Sequence, residues 1–224
     1  MQTCGDWKNF VKRLRRMIER VEEPPFRSRC EIKDPLLTRH LRSFKEDTAT
    51  REGMSGFCIA PEIEAFYAVC NGFKLTWQHL HPPRADLIVT GAARIMTVTQ
   101  LYDPEENIGQ PFVLYGEYRK LDEIGSDYHV AARFARGQTS PDLFYYNGEV
   151  GQYRHLSLGF TDYMTILLGV GGLFPWQEFF IDEPGFRLDT RGAEEFLEKL
   201  HFVFPDSDDS LFRAHLAAGR RNGD

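Results

Sequence analysis

The sequence predicts an α+β fold in which an antiparallel or mixed β-sheet packs against helices, with extra helices near the C-terminal end. Three observations lead there. Apolar residues recur at helical spacing in separate stretches, as at Trp7, Phe10, Leu14, Ile18 and Val21, and again at Phe160, Tyr163, Met164, Leu167 and Leu168. Between these lie consecutive stretches that alternate or are rich in β-branched and aromatic residues, the pattern of an antiparallel meander. The eighteen Phe and nine Tyr favour aromatic packing on a sheet over a helical bundle.

The first element is an amphipathic helix from about Asp6 to Glu22. Arg13, Arg15, Arg16 and Arg20 cover much of its polar face, and Asp6 is its expected cap. Such a stripe packs on its own domain more often than on a membrane or on RNA. Pro24-Pro25 ends it. A second helix is expected over Pro35 to Lys45, capped by Asp34, with Leu36, Leu37, His40, Leu41 and Phe44 inward. Glu46 to Gly56 is polar and reads as a loop. Next comes a short helix opened by Pro61, whose missing N–H costs nothing at a first helical position. Glu62 and Glu64 favour the positive end of its dipole. Ile63, Phe66, Tyr67 and Cys70 share one face, and Asn71-Gly72 stops the helix. Leu75, Trp77 and His79 then alternate with Lys74, Thr76 and Gln78, a strand that ends at His81-Pro82-Pro83.

Further strands are expected over Ala93 to Leu101, Phe112 to Tyr118, Tyr128 to Ala135, Leu143 to Tyr146 and Gln152 to Ser157. The last two flank a hairpin-like turn at Asn147 to Gly151. Tyr102 to Gln110 and Arg136 to Asp142 read as polar loops. A helix from Phe160 is closed by Gly169, Gly171 and Gly172. Thr190 is the expected cap of a helix carrying Phe196, Leu197 and Leu200. Asp206 is that of a last helix carrying Leu211, Phe212, His215 and Leu216. The pattern contains no internal repeat and no long linker. It describes a single domain over 1–224, with a core of about 35–180 and helices at 6–22 and 190–218 packed on it.

The stretch from Pro61 to Trp77 has a more specific character than its parts. Pro61, Phe66, Tyr67, Asn71, Gly72, Leu75 and Trp77 resemble the pattern of the SUKH superfamily of immunity proteins, with Ala60 where a larger apolar residue is usual. Phe160 to Leu168, followed by Trp176-Gln177, is similar to the closing helix of that family. The resemblance implies a cytoplasmic bacterial antitoxin that binds a secreted toxin stoichiometrically, without catalysis. Many such toxins act on nucleic acid. The same fold occurs in fungal cell-wall-synthesis regulators, so a non-catalytic adaptor of a protein partner is the alternative. An enzyme whose site is assembled from distant residues is a further one.

Composition bears on these readings. A net charge of -6 disfavours direct nucleic-acid binding. The charge is uneven: Asp6 to Arg29 holds eight basic and four acidic residues, Leu101 to Asp127 two and seven, and Glu178 to Asp209 three and ten. The acids Asp103, Glu105, Glu106, Asp122 and Glu123, with Asp206, Asp208 and Asp209 as a second patch, are therefore the expected contacts for a basic toxin. The four cysteines form no C-x-x-C pair, and Cys58 and Cys70 are expected as buried thiols. No apolar run is long enough for a membrane span, and the N-terminus carries no signal-peptide pattern. His79-x-His81 has metal-pair spacing but no evident third ligand, and no G-x-S-x-G or P-loop occurs. No cofactor, metal or catalytic residue is expected. Trp7, Trp77 and Trp176 are expected in the core.

Overall fold

The computed structural model describes residues 4–37, 39–43, 60–102, 118–133 and 140–221. Its sheet has seven strands in simple sequential order: β1 Phe26–Ile32, β2 Phe73–His79, β3 Thr90–Ile95, β4 Tyr118–Glu123, β5 Tyr128–Arg133, β6 Asp142–Asn147 and β7 Gln152–Leu156. Every pairing is antiparallel, so the sheet is not mixed. Among the described residues six helices accompany it: α1 Cys4–Glu22, α2 Pro61–Tyr67, α3 Val98–Tyr102, α4 Phe160–Gly169, α5 Thr190–Val203 and α6 Ser210–Arg221. A short 3₁₀ helix covers Trp176–Phe180, and residues 39–43 form one more helical turn.

One buried cluster joins these elements. It runs from Trp7, Phe10 and Leu14 of α1 through Phe66 and Tyr67 of α2 and the inward strand residues to Phe160 and Tyr163 of α4. It continues to Phe196 and Leu200 of α5 and Phe212 of α6. Trp7 is the hub at the α1 end, with the rings of Phe10, Phe66 and Phe160 all 5.2–5.6 Å away. Trp7, Trp77 and Trp176 are all buried.

The sheet is not equally knit along its width. β1–β2–β3 and β4–β5–β6–β7 are continuous ladders, but β3 meets β4 at the single pair Ile95 and Asp122, supplemented by Met96 N donating to Leu121 O. Farther along β3, the turn after α4 takes the place of β4. Ala92 N donates to Gly172 O at 2.8 Å, and Gly91 bridges Leu173. Gly172, at φ +73°, fits there because a side chain would meet the Ala92 backbone.

Several elements differ from the sequence expectation. β1 has no counterpart in it, yet Phe26, Ser28, Cys30 and Ile32 lie inward of exposed Arg27, Arg29 and Glu31, and β1 pairs fully with β2. No helix starts at Pro35. Lys33 N donates to Gly72 O, Leu36 N to Tyr67 O, and Asn71 N to Lys33 O, which hold this backbone extended along the α2–β2 junction. The helical turn begins only after Leu37. Leu41 is buried, while Leu37 and His40 are exposed and Asp34 caps nothing there. Phe44, Lys45, the loop 46–56 and Cys58 lie outside the described residues, as do 103–117 and 134–139.

The strand expected to run on to Leu101 stops at Ile95, because Thr97 and Gln100 form a capping box. Gln100 N donates to Thr97 Oγ1 and Thr97 N to Gln100 Oε1, both at 3.2 Å. At the ends of the chain the caps also shift. Asp6 lies inside the first turn of α1. Asp189 rather than Thr190 caps α5, accepting from Arg191 N and Gly192 N. α6 begins four residues after Asp206, with Asp208 accepting from Ser210 N.

Candidate interaction surface

The residues of the Pro61–Trp77 pattern tie two strand ends together. Tyr67 OH donates to Met96 O at 2.8 Å. Asn71 Oδ1 accepts from Val98 N at 3.1 Å, so Asn71, four residues past the end of α2 at Tyr67, satisfies an orphan donor of α3. Gly72, at φ +88°, lies so close to Ile95 O and Met96 O that any side chain would collide with them. Cys70 is buried and its thiol, raised to about 11 by burial, donates to Gly72 O. Trp77 reaches the other way, with Nε1 donating to Gly171 O at 2.7 Å. The Trp77 indole also lies against Gly91, where a Cβ would come within 2.4 Å of the ring. Tyr67 OH, Asn71 Oδ1 and Trp77 Nε1 are thus engaged inside the fold.

Among the described residues the expected acidic contacts do not assemble into one surface. Asp103, Glu105 and Glu106 lie outside the described residues. Asp122 is fully buried, which removes it from any exposed patch. The cause is a β-bulge. Lys120 pairs with Ala131 but Asp122 with Val130, so Leu121 and Asp122 both face the core. Asp122 accepts from Tyr163 OH at 2.6 Å and from Arg94 N at 2.8 Å. Burial pushes its carboxyl up to about 6 against those two bonds. Glu123 faces outward but is held by Arg94 at 2.6 Å.

The second acidic patch is also divided. Asp209 accepts from His201 Nε2 at 2.8 Å and pairs with Arg213 at 2.5 Å. Partial burial would raise its carboxyl, but the bonds from His201 and Arg213 bring it below the usual range. Asp208 is exposed. Asp206 lines a cleft that also holds Arg13, Arg16 and Arg20.

His79 Nδ1 accepts from His81 N at 3.1 Å, closing the turn after β2. Among the described residues no group of His, Cys, Asp and Glu is placed to hold a metal, and no helix is long and apolar enough to cross a membrane.

The surface that composition did not reveal is the outward face of β4–β7. Registration places Tyr118, His129, Phe144, Tyr146, Tyr153 and His155 there together. Phe144 and Tyr146 are buried yet absent from the main core cluster, because they belong to this second layer. His129 stacks on Tyr146 at 4.6 Å and shares a 3.0 Å hydrogen bond with Tyr153 OH. Tyr118 stacks on Tyr153 at 5.0 Å, and Phe144 meets Tyr118 and His155 edge-on. Arg133 lies over Phe144 at 5.0 Å and pairs with Asp142 at 2.6 Å. Burial, with Lys120 nearby, drives the His129 imidazole down to about 4, so it is neutral at pH 7. The ring contacts of this layer among the described residues are with one another. The continuous apolar run Leu143-Phe144-Tyr145-Tyr146 carried the signal, since a strand apolar on both faces buries both.

On β1–β3 the same outward face is charged instead, with Arg27, Arg29, Glu31, Lys74 and Arg94. No family model, no curated protein and no solved structure matches this chain.

Proposed function

We propose that this chain is a non-catalytic binding protein of the immunity type, which captures a cognate bacterial toxin in the cytoplasm and holds it inactive. The observation that supports this best is the outward face of β4–β7. It presents Tyr118, Tyr153 and His155 half-exposed on paired strands, with Arg133 at their edge. Rigid Tyr and Arg side chains are the residues on which protein interfaces concentrate their affinity. Buried Phe144, His129 and Tyr146 fix those rings from below, which lowers the entropy lost on docking. The Pro61–Trp77 pattern that resembles the SUKH superfamily supplies the toxin-binding role. Its polar groups serve the fold, which suits a scaffold rather than a reactive centre.

In this role the chain uses no cofactor and contacts neither nucleic acid nor membrane. The test is to sequence the genes flanking this one and to co-express the chain with any toxin domain they encode. Protection of the host, together with a stoichiometric complex weakened by Tyr118→Ala and Tyr153→Ala, is the expected result. Failure to protect or to bind, or turnover of a substrate by the chain alone, overturns the reading.

A further inference from the structure

A cleft of about 340 Å³ opens between α1, the end of α4 and the connection from α5 to α6. It lies apart from the aromatic face, and a ligand bound in it does not depend on the capture of a toxin. Three arginines line it, Arg13, Arg16 and Arg20, spaced so that α1 turns all three to one side. Met17, Leu168 and Phe204 supply apolar surface, and Asp206 is the one acidic residue of the lining.

The cleft is built from beneath. Trp77 Nε1 holds Gly171 O, and Trp77 meets the Phe204 ring edge-on at 6.1 Å. Gly171 must lack a side chain there, since a Cβ would come within 2.5 Å of Phe204. Phe204 in turn carries the Arg20 guanidinium 5.0 Å above its ring, and Arg20 donates to Val203 O at 2.5 Å. Arg20 is thereby fixed in place. No ion pair occupies Arg13 or Arg16 among the described residues. Ser207 lines the same cleft, and its hydroxyl has no hydrogen-bond partner among the described residues.

The geometry points to a binding site for a phosphate monoester whose organic part rests on Met17, Leu168 and Phe204. Three guanidinium groups and one carboxylate leave a local charge that matches a dianion better than a carboxylate or a phosphodiester. Guanidinium also pairs with phosphate oxygens through two parallel N–H donors. Volumes of this order hold small ligands. The monoester can be a free metabolite or a phosphorylated side chain, and the two are separable by experiment.

The test titrates the full chain at low ionic strength with phenyl phosphate, phenyl sulfate and a neutral phosphoserine peptide, followed by calorimetry. Phenyl phosphate should bind saturably and more tightly than the singly charged sulfate. Arg13→Gln with Arg16→Gln should weaken it about tenfold or more, and Asp206→Asn should tighten it. These three positions are exposed, and thermal melting checks that each variant stays folded. Tighter binding of the peptide than of phenyl phosphate assigns the site to a phosphorylated protein, and the reverse assigns it to a metabolite. Absence of saturable binding into the millimolar range, equal binding of the sulfate, or indifference to the arginine substitutions overturns the site.

Discussion

The two faces of β4–β7 bury the same kinds of residue by different means. The inward face is sealed by helices. Leu121, Val130, Leu143 and Tyr145 lie in the main core, and the Tyr163 hydroxyl of α4 comes down onto Asp122. The outward face buries Phe144 and Tyr146 beneath Tyr118, Tyr153 and His155, rings from the strands themselves. Each face also encloses a titratable group that shifts toward its neutral form in the range below pH 7, Asp122 up and His129 down. Burial disfavours charge, so the acid keeps its proton longer and the base loses its proton sooner. The same strands therefore carry a sealed interior on one side and a half-exposed aromatic layer on the other.

Truncation should separate the faces most strongly. Tyr145→Ala empties a ring from the inward core of β6 and should cost about 3–5 kcal/mol in urea unfolding. Phe144→Ala should cost roughly 2 kcal/mol, because its layer has thinner cover. Equal losses would mean that the outward layer is a second full core.

Removing the Tyr163 hydroxyl is expected to cost about 1–3 kcal/mol, since Tyr163→Phe leaves the buried Asp122 with Arg94 N alone. A melting temperature unchanged from the parent protein would contradict that account.

The pH dependence distinguishes the two faces by sign. Asp122 has a folded pKa near 6 against an ordinary 3.8, so the folded state holds the extra proton. Its stabilisation is complete below about 3.8 and is lost as pH rises through 6. His129 has a folded value near 4 against 6.5, so the unfolded state holds the extra proton. Stability from this group rises with pH between those values and is complete above 6.5. The two slopes oppose each other in the parent protein. Asp122→Asn should expose a rising slope approaching about 1.4 kcal/mol per pH unit, and His129→Gln a falling one of similar size. Chemical denaturation across pH 4–6.5 reads both, and slopes of the same sign in the two variants would refute the assignment.

The smallest effect on stability is expected at the rim. Tyr118→Ala should change unfolding by under about 1 kcal/mol while weakening partner capture by roughly 2 kcal/mol. A loss of stability without loss of binding would reverse the roles of rim and layer.

Much of this fold was legible because periodicity was strong. The α1 stripe, the α2 face of Ile63, Phe66 and Tyr67, β5–β7 with their turn and the α4 helix all follow from local pattern, although α2 ends at Tyr67 with Ala68 as its cap rather than at Asn71-Gly72. What was missed had local signals outweighed by stronger neighbours. The alternation in β1 sits between a helix and an apparent helix start, and Thr97-Val98-Thr99-Gln100 is a capping box inside a β-branched run. The helix expected from Pro35 is helical only at 39–43 among the described residues, because the backbone before it is bonded to residues about 35 positions downstream, which no window can register. Asp122 illustrates the deeper limit. Strict alternation with Lys120 places it outside, and only the bulge set by pairing with β5 turns it in. Asp209 is paired with Arg213 of α6, and Asp206 faces a cleft lined by three arginines of α1, far along the chain. Charge counted along a sequence says little about field at a surface.

The single rung between β3 and β4 gives the molecule a natural line of parting. Three strands on one side and four on the other could separate there without breaking any ladder inside either plate. Heat, denaturant or mechanical pull should find that line first, and the Gly171–Leu173 turn wedged along it is the clasp that must let go.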